Sequence, residues 1–439
     1  EMCIRDSYRA DAFDTSKLPA DKRWGKFPSI AAGWTISNEK FIKENISSDV
    51  LSFLKFRASW GRNGNVNVLN NYPYTSPISY NAAWYQYGDS PEQHYGSYPS
   101  GLANPNLKWE TSEQLDLGLD MRFLNDRLTV SLDYYNKNTK DLLIKINPVP
   151  EVYTNQTTIN AGEVNNKGFE FEANWRDHIG DLAYSVNANF STLKNEVTYL
   201  YDDLPRITAS KGGVNGTNNK VHTAFKEGHS IWYFRAFDYV GVDRETGAAQ
   251  FRNHEGKIVA SSELTDEDMT DIGSAIPKFT YGITLNLEYK GFDFTAFGTG
   301  VAGNKIFNIL YRADSPLRNS LKYYMDNAWT PENKGASMPA VNNVATDLNF
   351  WSSSAAMFNG SYFKIKQLQL GYTLPKRLTQ KVAIKDLRFF VSLDDFFTFS
   401  NYPGMDPETA TTGNNGGAGF DIGSYPTMKK CSFGASFSF

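Results

Sequence analysis

The residue types that carry chemistry are all present in this chain, but not in the spacing that catalysis or metal binding needs. The five histidines, His94, His178, His222, His229 and His254, fall where loops or turns are expected, and no two share a helical metal-ligand spacing. Glu110 and Glu113 form an acid pair at the start of an expected strand, a common arrangement without catalytic meaning. Gly212–Gly216 and Gly413–Gly417 are glycine-rich, yet neither links a strand to a helix as a phosphate loop must, so both read as loop tips. The run Glu263-Leu-Thr-Asp-Glu-Asp-Met269 has the acids of a calcium loop but lacks its alternating ligands and its glycine, and reads as a solvated acidic turn or short helix. Cys3 and Cys431 stand far apart and give neither a metal spacing nor a disulfide framework. No enzyme activity and no cofactor are expected. A net charge of -4 implies no nucleic-acid partner.

Binding chemistry is better represented. Residues 72–98 carry Tyr72, Tyr74, Tyr80, Trp84, Tyr85, Tyr87, Tyr95 and Tyr98, interleaved with Asn81, Gln86, Asp89 and Gln93. Aromatic faces supply apolar area, while nearby amides and carboxylates fix hydroxyls, a combination that suits a sugar. The same residues suit a protein interface, or simple packing of the loop on itself. Trp351, with Phe350, Phe358 and Tyr362, carries the same three readings. At the C-terminus, Cys431, Phe433, Ala435, Phe437 and Phe439 alternate with Ser432, Gly434, Ser436 and Ser438. A period of two places these sets on opposite faces of a strand, one oily and one small and polar.

That alternation recurs along the chain. Leu115, Leu117, Leu119 and Met121 oppose Asp116, Gly118, Asp120 and Arg122; Phe169, Phe171, Ala173 and Trp175 oppose Glu170, Glu172, Asn174 and Arg176; Tyr281, Ile283, Leu285 and Leu287 oppose Gly282, Thr284 and Asn286. Roughly a dozen such strands are expected. Leu124–Arg127, Asp177–Asp181 and Tyr289–Phe292 read as tight connections, whereas about 62–107, 200–230, 244–276, 304–360 and 399–426 read as long ones. Short turns at one rim, long loops at the other, and aromatics near strand ends (Trp34, Trp60, Tyr134, Trp175, Tyr289, Tyr372) mark a transmembrane barrel. Mean hydropathy is only -0.47, because alternation hides the lipid-facing half from any window average. The fold class is therefore all-β, an antiparallel transmembrane β-barrel. Residues 1–7 fit no strand pattern and read as an assembly scar, leaving 8–439 as the barrel region; no signal peptide is read at the start.

Several short segments follow one another along the chain: Arg23-Trp-Gly-Lys-Phe-Pro-Ser29, Leu54-Lys-Phe-Arg-Ala-Ser-Trp-Gly-Arg-Asn-Gly64, Asn104-Pro-Asn-Leu-Lys-Trp-Glu-Thr111, Asn166-Lys-Gly-Phe-Glu170, Ala328-Trp-Thr-Pro-Glu-Asn333, Ser361-Tyr-Phe-Lys-Ile-Lys366 and Asp406-Pro-Glu408. In this order they resemble the SusC/RagA type of TonB-dependent outer-membrane transporters of Bacteroidota. The resemblance implies the C-terminal part, roughly 12 strands, of a 22-stranded plugged barrel. It implies import of oligosaccharides or peptides at the outer membrane of a Gram-negative bacterium. The implied partners are a SusD-like surface lipoprotein, TonB-ExbB-ExbD acting through an absent N-terminal part, outer-membrane lipid, and the barrel-assembly machinery reading Phe433, Phe437 and Phe439. Tyr80, Trp84, Tyr85, Tyr87, Tyr95, Tyr98 and Trp351 become candidates for substrate or lid contact. A siderophore- or cobalamin-type receptor and a soluble all-β glycan-binding module are the alternatives.

Overall fold

A computed structural model describes residues 3–86, 88–89, 93–99, 101–146, 157–201, 206–210, 221–310, 321–379, 384–411 and 418–439. Twelve strands follow one another, each antiparallel to the next, in one sheet. They are β1 (Ile4–Phe13), β2 (Gly25–Thr35), β3 (Leu51–Asn65), β4 (Glu110–Phe123), β5 (Leu128–Lys140), β6 (Gly162–Ile179), β7 (Leu182–Thr192), β8 (Phe279–Tyr289), β9 (Phe292–Ala302), β10 (Tyr362–Thr373), β11 (Asp386–Ser400) and β12 (Lys430–Ser438). A thirteenth strand, Lys194–Leu200, folds back onto the upper half of β6. Among the described residues the sheet is open, with β1 and β12 at its two edges.

The register carries the sequence alternation across the whole sheet. One row runs Leu128, Trp175, Val186, Leu285, Ala296, Leu368, Leu393, Cys431, and the next runs Tyr184, Leu287, Phe294, Leu370, Val391, Phe433. All of these residues point the same way, because directly opposed residues share a face. Most of these side chains are half-buried, and elsewhere on the same face Ile30, Phe169 and Ile283 are exposed, as are Leu370 and Phe433 in the second row. The other face carries Arg57, Asp116, Asp120, Asp133, Glu170, Asn187, Asn286, Asp293 and Arg388. Apolar outside and polar inside is the polarity of a membrane barrel wall.

The connections divide by rim. Residues 36–50, 124–127, 180–181, 290–291 and 374–385 lie at one rim, and the tight ones agree with the sequence reading. Residues 14–24, 66–109, 141–161, 193–278, 303–361 and 401–429 lie at the other. Two expected loops, 200–230 and 244–276, are parts of the single excursion 193–278, which carries its own six-stranded sheet. The segment before Tyr8, set apart in the sequence reading, enters the sheet. Ile4 to Ser7 pair with Trp34 to Ala31. Backbone pairing at an edge needs no side-chain alternation, so the pattern gave no sign of it.

Buried hydrophobic residues lie mostly off the sheet, in the long-loop layer. Phe237, Phe251, Met269, Tyr324, Phe350 and Trp351 form one cluster, and Phe234, Ala236, Phe307 and Phe420 another. Both join the 193–278 excursion to the 303–361 loop, and the bridge between Phe237 and Ser353 ties them through backbone.

The outward face sets a clear test. Ile283, midway along β8 and opposed to Ala188 and Gly298, should not tolerate Ile283→Arg, which should cost about 2–4 kcal/mol in denaturant titrations of the detergent-folded receptor. The inward neighbour change Thr284→Arg should cost far less.

Candidate functional site

The inner face of the sheet and the loop layer above its rim together form the candidate site. On the inner face, charges are placed in pairs across neighbouring strands. Arg57 of β3 reaches Asp120 of β4 with Nε to Oδ2 at 2.7 Å and Asp133 of β5 with Nη2 to Oδ1 at 2.9 Å. Glycine makes room for this fork, since a Cβ at Gly118 would collide with the Arg57 guanidinium and the Asp133 carboxylate. The arrangement repeats at the other side of the sheet, where Arg388 of β11 donates to Asp293 of β9 (Nε to Oδ1, 2.8 Å) and Gly371 of β10 leaves the space between them. Glu113 accepts from Lys140 at 3.2 Å and from Arg62, while Glu110 accepts from Asn65 and from the Leu143 N–H. The acid pair at 110 and 113 thus builds the wall and is not free for acid–base work.

The most buried charge in the described structure links this wall to the loops. Lys364 of β10 is 2% exposed, and its Nζ lies 2.8 Å from Asp406, 2.7 Å from Glu408 and 3.2 Å from the Thr427 hydroxyl. Lys366 extends the network to Glu408 at 2.7 Å and Asp395 at 3.0 Å. Burial alone would push the Asp406 and Glu408 carboxyls up. For Asp406, Lys364 and the Thr427 N–H outweigh burial; for Glu408, Lys364 and Lys366 do. Both are held below the usual carboxylate range. A second anchor lies alongside. Tyr402 donates to Asp421 and accepts from the Asn308 amide at 2.9 Å, and Phe307-Asn308 pair in parallel with Phe420-Asp421. The 401–429 loop is therefore latched to the wall by one anchor and to the 303–361 loop by the other.

The aromatic candidates separate. Residues 78–86 and 93–99 form a two-stranded hairpin on which Tyr80, Tyr95 and Tyr98 are exposed. Trp84 and Tyr85 pair with Tyr95 and His94 across it, and Tyr87 lies outside the described residues. Trp351 does not join this surface. It is 7% exposed, packs its ring on Tyr324 and Phe350, and donates its indole N–H to the Val344 carbonyl at 2.8 Å, so it serves the loop-layer core. Phe433 and Phe437 stand exposed on the outward face of β12, and Phe439 follows at the short-turn rim with its ring 5.5 Å from that of Phe437.

The remaining candidates resolve into structure. Asp268, in a 3-10 turn over Asp266–Asp268, accepts from the Thr265 N–H and from the His254 backbone and Nδ1, and so caps a turn. His178 lies in β6, and His94 and His222 lie in loop-layer strands, against the expectation of loops or turns. Both glycine-rich tips lie outside the described residues. Sequence reasoning missed the latch, although Ser361–Lys366 and Asp406–Glu408 each stood out as short motifs.

The family model for the TonB dependent receptor-like β-barrel matches residues 4–394. The chain belongs to the TonB-dependent receptor β-barrel family. The TonB-dependent receptor P3 of Formosa agariphila is 33% identical over 97% of this chain, which covers 43% of that relative. TonB-dependent receptor SusC of Bacteroides thetaiotaomicron is 28% identical over 97% of this chain and 41% of its own length. The solved RagAB peptide transporter superposes with a TM-score of 0.79 at 25% identity, covering 99% of this chain and 46% of that one. This receptor chain thus spans less than half the length of the relatives it matches. It is of the SusC/RagA type of TonB-dependent receptor β-barrel, a family of outer-membrane proteins.

The latch makes a pH prediction. Carboxylates with depressed folded pKa values stabilise above their usual range, about pH 4, and release that stability as pH falls through the folded value. Limited proteolysis within 401–429 of the intact receptor should therefore accelerate in acid. Asp406→Asn should produce the same acceleration at neutral pH. Lys364→Met, which leaves buried carboxylates unpaired, should cost about 3–5 kcal/mol.

Proposed function

We propose that this chain is the C-terminal wall and outer loop layer of an importer that takes up oligosaccharides, or alternatively peptides, across the outer membrane of a member of the Bacteroidota. The observation that carries this reading is the pairing of an apolar-out, polar-in sheet with a loop layer at one rim, part of it latched to the wall and part of it, the 78–99 hairpin, exposing Tyr80, Tyr95 and Tyr98. Strands and a plug outside this chain complete the barrel, and TonB-ExbB-ExbD acts through that N-terminal part. A SusD-like surface lipoprotein covers the loop rim. Exposed Tyr80, Tyr95 and Tyr98 suit stacking on sugar faces, with their hydroxyls free to hydrogen-bond. Peptide cargo has one specific support, the likeness to the RagAB peptide transporter. Phe433, Phe437 and Phe439 form the signal that the barrel-assembly machinery reads on β12.

The test is uptake and binding by the full-length receptor expressed with its neighbouring lipoprotein. Fluorescent oligosaccharide and peptide pools are compared for retention on cells. Tyr80→Ala with Tyr95→Ala should weaken retention of the true substrate class about tenfold, on the order of 1.4 kcal/mol, without changing the amount of receptor in the membrane. Retention of neither pool, with normal receptor levels, would refute the import reading. Phe439→Ala should instead lower the assembled, heat-modifiable fraction and leave the binding of each assembled copy unchanged.

A further inference from the structure

An open groove of about 790 Å³ lies on the sheet at the long-loop rim. Its described lining holds four lysines, Lys167, Lys194, Lys278 and Lys305, and no acidic residue. Lys194 has Glu196 at 2.6 Å, and Lys167 also lies within reach of that carboxylate's charge, whereas Lys278 and Lys305 have no ion-pair partner among the described residues. Hydroxyl-bearing Thr192, Ser230 and Ser274 line the groove between them, and Tyr134, Phe169, Ile276, Pro277 and Phe279 form its apolar side.

The height of these lysines is set by strand length. Strands β7, β8 and β9 each have 11 residues, the length that crosses a bilayer when tilted. Lys194 lies two residues past the end of β7, Lys278 immediately before β8, and Lys305 three past the end of β9; Lys167 lies on β6 two residues above Phe169. All four sit where the apolar crossing ends and the outer interface begins. Below them the outward face is continuously aromatic and aliphatic. The Tyr134 and Phe169 rings are 5.1 Å apart, Phe190 and Phe279 stack at 5.6 Å, and the rows continue through Phe171 and Ile283. Strands β5 to β9 are interior to the sheet, so strands added at β1 or β12 leave the groove open.

We propose that this groove binds the phosphorylated headgroup of an outer-leaflet lipid, with the acyl chains lying on the aromatic face beneath it. A cluster of cations at the water boundary attracts lipid phosphate, and the apolar wall directly below selects an acylated ligand over a free anion. The site rests on the outer-membrane reading but on no assumption about cargo.

The full-length receptor is inserted into phosphatidylcholine vesicles, alone or doped with a bis-phosphorylated lipid A, and treated with a membrane-impermeant amine reagent. The doped lipid should slow labelling of Lys167, Lys278 and Lys305 at least threefold while leaving Lys322, on the loop layer, unchanged. Inorganic phosphate at equal phosphorus should not slow it. The triple change Lys167→Gln, Lys278→Gln, Lys305→Gln should lower glycolipid co-purifying from outer membranes several-fold, and Lys→Arg at the same positions should restore it. Equal labelling with and without the lipid, or equal protection by inorganic phosphate, would overturn the site while leaving the import reading intact. Failure of the receptor to insert would overturn both.

Discussion

A sheet that turns leucine, isoleucine and phenylalanine outward across twelve strands depends on one condition: its outside must meet hydrocarbon, not water. In that medium each backbone N–H and C=O must find its partner within the protein, because an unsatisfied group costs several kcal/mol. The antiparallel ladder from β1 to β12 meets this demand strand by strand, with register shifts only at Leu51/Phe53, Phe297/Gly298 and Ile365/Gln367 along the path. It leaves two open edges, and an open edge cannot stand in hydrocarbon. The sheet is complete only as part of a larger closed wall, which agrees with a chain covering less than half of its relatives.

The same condition decides where the aqueous protein keeps its core. A barrel wall has lipid on one side and a wet interior on the other, so its large side chains cannot all be buried against each other. The burial that an aqueous domain needs is found in the loop layer instead, where Phe234, Phe237, Phe251, Phe307 and Phe350 are almost fully enclosed. Aromatic residues make up 15% of this chain because they hold two positions, the lipid face and the loop core, and a third small set remains on the 78–99 hairpin. The inner face is held by charge, with glycines at 118 and 371 giving each guanidinium its room.

Much of the wall was legible in the sequence because its signal is local. A period of two can be read within one strand, and the tight turns at 124–127, 180–181 and 290–291 sit between runs of unmistakable alternation. The outer layer was not legible, for three physical reasons. Strand Tyr233–Val242 is buried on both faces in its first half and so lacks alternation, which split one excursion into two apparent loops. Trp351 is as aromatic as Tyr95, and only tertiary packing separates a core ring from a contact ring. The latch joins Lys364 to Asp406 across 42 residues, and no periodicity links a lysine on a strand to an acid in a loop. Ile4 to Ser7 escaped for the opposite reason, since edge pairing uses backbone alone.

The latch bears on how such a wall could take part in gating. Burying a lysine between two carboxylates has a desolvation cost, but removing one partner alone leaves an unpaired buried charge at a further cost of about 3–5 kcal/mol, so Asp406 and Glu408 are tied to β10. Its second anchor, Tyr402 with Asn308 and Asp421, fixes the same loop to the 303–361 segment, and that segment shares a core with 193–278. Three long loops are thereby coupled into one body resting on β7 to β11. Among the described residues, the strands Ile78–Gln86 and Gln93–Pro99 contribute nothing to these shared cores, and their Tyr80, Tyr95 and Tyr98 are exposed. A covering partner or an arriving ligand would therefore meet two surfaces, the coupled loops and this tyrosine-bearing pair of strands. The packed route from this layer to the wall runs through the coupled loops and the Lys364 latch.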